Sequence, residues 1–202
     1  MLGDRRADQL TRGFLVAGGG ELEVERLLEE KLDLTGIELA YCASPEGTRV
    51  FISGSDEAVI QRAIEHGRSL FSHNALEVGR YHLGPEVVRL LSLRGERLAL
   101  AESCTGGLIA GAVTAVPGSS LAFAGGIVAY ENAAKINLLN VNPEILETYG
   151  AVSRECAEAM ARGAAAAFDT EIAGAVTGIA GPTGSTETKP VGLVHLAIYF
   201  HG

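Results

Sequence analysis

Two hydroxyl-bearing turns, a tyrosine and a lysine fall within one short segment of this chain. Ala101-Glu102-Ser103-Cys104-Thr105-Gly106-Gly107 comes first, then Pro117-Gly118-Ser119-Ser120, then Ala129-Tyr130-Glu131-Asn132-Ala133-Ala134-Lys135. A serine becomes a nucleophile when a neighbouring base takes its proton. No histidine lies near these serines in sequence, so Lys135 is the available base. A lysine base must be neutral, which requires desolvation or nearby positive charge. The neighbours Ala133, Ala134, Ile136 and Leu138 supply apolar company. Tyr130 would relay a proton or orient the nucleophile. Together these are the groups of a hydrolase site that needs neither metal nor histidine. Each also has a structural use, since serines cap helices, strand tyrosines pack and helix-face lysines are solvated.

The turn around Ser103 follows an apolar strand, Leu98–Ala101, and opens a helix. Such a helix start offers N–H groups and a positive dipole end. By spacing alone it reads first as a tight turn with Thr105 as N-cap. Glu102, at the strand end, would hold a ribose hydroxyl or pair with a backbone donor. A second cluster, Thr177-Gly178-Ile179-Ala180-Gly181-Pro182-Thr183-Gly184, is too rich in glycine and too poor in charge for a core. It reads as a nucleotide- or phosphate-binding loop with Lys189 as counter-charge, or as a flexible connection.

These residues need a scaffold, and 202 residues suit one large domain or two small ones. A hydrophobic content of 47% is enough for a core. The net charge of −9 argues against a nucleic-acid footprint. The odd count of three cysteines, without CxxC or Cys/His ligand spacing, suits reduced thiols in a cytoplasm. The N-terminus lacks the apolar stretch of a signal peptide, and no apolar run reaches the ~18 residues of a membrane span. The expected cofactor and metal content is none.

The chain reads as two α/β parts. Thr11–Ala17, Ile37–Cys42 and Thr48–Ser53 are strands, the latter two joined by the turn Ser44-Pro45-Glu46-Gly47. Helices are expected over Glu21–Leu32 and, capped by Ser55, to about Phe71. This β-α-β-β-α unit occupies residues 1–72, with a linker over 73–83. From Gly84 to residue 202 strands and helices alternate as in an α/β sheet. Strands are expected at Arg97–Ala101, Ala122–Tyr130 (central), Ile172–Val176 and Val191–Phe200. Asn142-Pro143 and Ser153 start helices, the second burying Ala157, Met160, Ala161, Ala164 and Phe168.

The motifs AESCTGG, VPGSS, GGIVAYENAAK and VTGIAGPTG…KPVG together resemble the C-terminal domain of the CinA-like competence/damage-inducible proteins. That domain is a nicotinamide-nucleotide amidohydrolase, and the resemblance runs from about Gly84 to Phe200. Residues 12–71 resemble the small KH-type domain that precedes it, although the GXXG loop of RNA-binding KH modules is missing and the unit reads as a spacer or dimer contact. The resemblance implies an α/β amidase domain with a central sheet flanked by helices. It implies hydrolysis of the nicotinamide mononucleotide carboxamide, for pyridine nucleotide salvage, by a cytoplasmic homodimer or higher homo-oligomer. It places the nucleophile at Ser120, with Ser119 as the lesser choice and a substrate contact. Tyr130 and Lys135 become its proton-handling partners, and Ser103, Thr105, Gly106, Thr177 and Gly178 bind substrate. Full-length members also carry a molybdopterin-binding-like domain, a further strand, a Gly-Asp-Arg motif and a closing helix, none of which this sequence contains. The alternative is therefore a catalytically impaired nucleotide-binding or oligomerisation module.

Overall fold

A computed structural model describes residues 9–76 and 83–201. The chain divides into two compact units, 1–86 and 87–202. The first unit contains β1 (Leu10–Ala17), α1 (Glu21–Lys31), β2 (Ile37–Ser44), β3 (Gly47–Gly54), α2 (Glu57–Ser69) and the two-residue β4 (Ala75–Leu76). Its sheet has the order β2-β3-β1-β4, with every pairing antiparallel. Val24 and Leu28 of α1, and Ile60, Ala63, Ile64 and Gly67 of α2, are the buried helix positions. Their spacing of three and four residues puts each set on one face. These faces cover Val16, Val50 and Ile52 of the sheet.

Two expectations change here. The helix cap is Asp56 rather than Ser55: its carboxylate accepts from the N–H groups of Ala58 and Val59 at 2.8 and 3.3 Å. A cap must stand two and three residues before the donors it serves. The segment expected as linker begins instead with structure, because Ala75 and Leu76 pair with Val16 and Leu15 of β1. Residues 77–82 of that segment lie outside the described residues.

The second unit takes in most of α3 (Leu83–Arg94). It continues with β5 (Leu98–Glu102), α4 (Leu108–Thr114), β6 (Phe123–Val128), α5 (Asn132–Leu139), α6 (Pro143–Thr148), α7 (Arg154–Phe168), β7 (Ile172–Gly178) and β8 (Val194–Phe200). The strand order is β6-β5-β7-β8, with β5 parallel to both neighbours and β8 antiparallel to β7. All five residues of β5 are buried. β6, expected to be central, is an edge strand, and Gly125 and Gly126 in it leave little side chain to bury.

Strand alternation splits the core between the two sheet faces. Ala99, Ala101, Ala173 and Ala175 meet Met160, Ala161, Ala164 and Ala165 of α7 on one face. Leu98 and Leu100 meet Val88, Leu91 and Val113 on the other. The expected buried face of α7 is present, with Phe168 only half-buried. α7 also lies against the end of α5, where a Cβ on Gly163 would run into the Leu139 carbonyl oxygen. By contrast, nothing lies within 4 Å of a Cβ built on Gly111 in α4.

This contrast sets the sign of two substitutions. Gly163→Ala is expected to destabilise the fold by about 1–3 kcal/mol, because backbone must shift. Gly111→Ala is expected to add about 0.5–1 kcal/mol through helix propensity. Urea unfolding of both variants checks the pair, and the same sign for both would contradict the packing described.

Candidate active site

The chain leaves β5 toward β6 on one side and leaves β7 toward β8 on the other. In an open α/β sheet ligands usually bind at the carboxyl ends of the parallel strands, here β5, β6 and β7. The Ser103 N–H donates to the Val176 carbonyl at 3.0 Å, joining the ends of β5 and β7. The Ala129 N–H donates to the Glu102 carbonyl at 2.8 Å, joining the ends of β5 and β6. Ser103, Thr177, Gly178, Ala129 and Tyr130 therefore share one end of the sheet.

Lys135 enters this end from α5 and is only 1% exposed. Its Nζ lies 3.1 Å from Ser103 Oγ, 2.8 Å from the Ala129 carbonyl oxygen and 2.9 Å from that of Tyr130. Burial pushes its pKa below the usual lysine range, and the Cys156 and Cys104 sulfurs oppose this only in part. A neutral amine fits the same geometry. The ammonium donates one N–H to each of the three oxygens, whereas a neutral amine keeps two of these donors for the carbonyls and turns its lone pair to the Ser103 hydroxyl.

The structure does not bring Ser119 or Ser120 to Lys135. Both lie in a 3-10 turn immediately before β6. The start of β5 meets that end of β6, with the Leu98 N–H on the Ala122 carbonyl at 2.7 Å. Because β5 and β6 are parallel, the five residues of β5 separate the serine turn from Ser103, about 16 Å along the strand. Among the described residues neither side chain makes a hydrogen bond, and Ser120 is exposed. Tyr130 stands beside this centre in a different way. Its side chain is 69% exposed, and its contact with Lys135 is through the backbone carbonyl.

The other expected residues gather near Ser103 in different capacities. Thr177 is buried and donates its hydroxyl proton to the Ala151 carbonyl at 2.8 Å. A Cβ on Gly178 would stand 2.7 Å from the Leu193 carbonyl oxygen and 3.1 Å from Cys104 Sγ, so the turn after β5 can come close only to a glycine. The Gly106 N–H closes the turn onto the Ser103 carbonyl. Thr105 is not the cap of α4; that position is Gly107. The buried Thr105 hydroxyl lies beside the Glu102 carboxylate but falls short of hydrogen-bond geometry to it.

Glu102 is 2% exposed and takes the backbone donors, not a ribose. Its carboxylate accepts from Gly107, Ile109 and Ala110 N–H at 3.0, 3.2 and 2.7 Å. Burial alone raises its pKa. The neighbouring Thr105 side chain and the three backbone N–H groups outweigh this and hold the carboxyl below the usual range. Glu102 thus fills the first N–H groups of α4 from within, in keeping with the tight-turn reading of this segment.

Two features had no clear signal in the sequence, and a third, Lys189, takes a different partner from the counter-charge role expected of it. The Lys135 partners are mostly main-chain carbonyls, which no residue type announces. Cys156 reaches the same centre from α7; burial pushes its thiol up, and Lys135 and Lys189 pull it back. Lys189 donates to the Tyr149 carbonyl at 2.6 Å, holding the loop after β7. Among the described residues no cluster of His, Cys, Asp or Glu could hold a metal, and no helix is long and apolar enough to cross a membrane.

Residues 81–202 match the CinA C-terminal domain. The chain belongs to the CinA family. It is 42% identical over 208 residues to a putative competence-damage inducible protein of Moorella thermoacetica, covering 99% of this chain and 50% of that protein. It is 41% identical over 201 residues to a CinA-like protein of Geotalea uraniireducens, covering 96% and 48%. The chain thus spans about half the length of these curated relatives. The crystal structure of a competence/damage inducible protein from Agrobacterium tumefaciens superposes with a TM-score of 0.57 at 49% identity, covering 58% of this chain and 72% of that one. A competence damage-inducible protein from Klebsiella pneumoniae superposes with a TM-score of 0.57 at 42% identity, covering 58% and 73%. Membership accounts for the α/β architecture of the second unit.

The lowered Lys135 pKa has a signature in stability. The unfolded chain binds this proton more tightly, so stability contributed here rises with pH between the lowered native value and about 10.4. The melting temperature of the wild type minus that of Lys135→Met is expected to become more positive from pH 7 to pH 10. An offset independent of pH would mean that the native lysine titrates normally.

Proposed function

We propose that this CinA-family chain hydrolyses the carboxamide of nicotinamide mononucleotide to nicotinate mononucleotide and ammonia, with Ser103 attacking and Lys135 as its base. The single observation carrying the chemistry is the buried Lys135 Nζ, 3.1 Å from Ser103 Oγ. The substrate rests on the resemblance of the AESCTGG, AYENAAK and TGIAG motifs to the amidohydrolase domain. Ser120 is set aside as nucleophile because no base among the described residues reaches it.

In the first half-reaction Ser103 Oγ bonds to the carboxamide carbon as its proton passes to Lys135 Nζ. The negative charge moves to the carboxamide oxygen. The N–H groups of Cys104 and Thr105 are available to hold it, since neither makes a hydrogen bond among the described residues. The C–N bond then breaks, and the leaving nitrogen takes the proton from Lys135 and departs as ammonia. Water next attacks the Ser103 ester and gives a proton to Lys135. The ester C–O bond breaks, and that proton returns to Ser103 as the acid is released. Burial of Lys135 keeps the amine closer to neutral, so the rate is expected to rise with pH as its proton is lost.

Ammonia release from nicotinamide mononucleotide tests this reading. Ser103→Ala and Lys135→Ala are each expected to lower the rate by at least about 10²–10⁴-fold with the fold retained. Ser120→Ala should stay near wild type. Loss in Ser120→Ala with full activity in Ser103→Ala would return the nucleophile to Ser120. A folded wild-type chain that releases no ammonia would sink the amidase reading and favour a nucleotide-binding module.

A further inference from the structure

We propose that Glu102 is a positioning residue for this reaction: its carboxylate fixes the turn that carries Ser103 and the two free N–H groups, and thereby sets the rate of the chemical step. The inference rests on the reading of Ser103 as the attacking hydroxyl.

Glu102 immediately precedes Ser103 and is among the largest fully buried side chains of the molecule. One carboxylate oxygen accepts from Gly107 and Ile109, and the other from Ala110. The backbone of the same residue accepts from Ala129, whose carbonyl in turn receives Lys135. The turn of Cys104 to Gly107 is therefore clasped at both ends by one residue. Within it, the Gly106 N–H goes to Ser103 and the Leu108 N–H to Thr105. With Glu102 holding Gly107, Ile109 and Ala110, the donors left for a substrate oxygen are those of Cys104 and Thr105. A two-donor pocket works only if both point at one place, and α4 is too short, at seven residues, to hold its first turn unaided.

The negative charge serves this arrangement. A carboxylate offers acceptors alone, so it can take all three N–H groups at once. An amide of the same shape brings two donors of its own against at least one of them. The three backbone N–H groups also neutralise the charge beside the forming oxyanion.

The test uses the full chain with Glu102→Gln. Three quantities are read: kcat and KM for nicotinamide mononucleotide, the rate at which phenylmethylsulfonyl fluoride labels Ser103 by peptide mass, and the melting curve. A folded variant is expected with kcat lowered by about 10- to 100-fold, KM within about twofold, and Ser103 labelling slowed in parallel. Glu102→Asp keeps the charge but shortens the reach, and should fall between wild type and Glu102→Gln in both rates. If Glu102→Gln does not fold, the aspartate variant decides by the same readouts. A lower melting temperature with unchanged kcat and unchanged labelling would make Glu102 a helix clasp only and overturn the proposal. A wild type that is not labelled at Ser103 would instead overturn the underlying reading of the nucleophile, and this inference with it.

Discussion

An amine buried to 1% exposure has to be surrounded by oxygen, and this requirement governs the second unit. An unpaired ammonium in such a place costs several kcal/mol, or else gives up its proton. Lys135 meets two main-chain carbonyls from the end of β6 and one hydroxyl from the end of β5. Those three oxygens coincide only if β5 and β6 run parallel in the observed register and α5 starts directly after Tyr130. α7 then covers the site's flank. Its alanine face allows close approach to the alanines of β5 and β7, and it brings Cys156 near the lysine.

Two buried ionisable groups at this sheet end are driven in opposite directions by their partners. Glu102 receives three N–H donors and stays a carboxylate. Lys135 receives only neutral oxygens, and burial draws it toward the free amine. The difference is one of partner type, since N–H groups favour a negative charge while carbonyls favour a positive one only weakly against desolvation. Under the proposed reading, Glu102 holds the geometry of the site and Lys135 handles the proton.

The two serine turns illustrate how a parallel sheet sorts chemistry. In a β-α-β unit the residues after a strand and those before the next lie at opposite ends of the parallel strands. Ser103 is 32 residues from Lys135 in sequence yet bonded to it. Ser120 is much nearer in sequence and lies a strand length away. Tyr130 marks the same rule at finer grain: its position next to the site is real, but the chain direction there presents its carbonyl and leaves the ring to solvent.

What the sequence by itself determined was local. The hairpin turn between β2 and β3, the caps Asn142 and Ser153, the buried stripe of α7 and the α/β alternation all follow from interactions within a few residues, which spacing and residue type report directly. The burial of Lys135 was legible too, from a lone cation in apolar company. Only the tertiary structure decided which serine it meets, that Glu102 closes the start of α4, that β6 lies at the edge, and that Ala75-Leu76 joins the first sheet. Those outcomes depend on strand order and on main-chain atoms. Strand order is set by packing among distant segments, and main-chain donors and acceptors are nearly the same at every position, so neither is written in the local pattern of side chains.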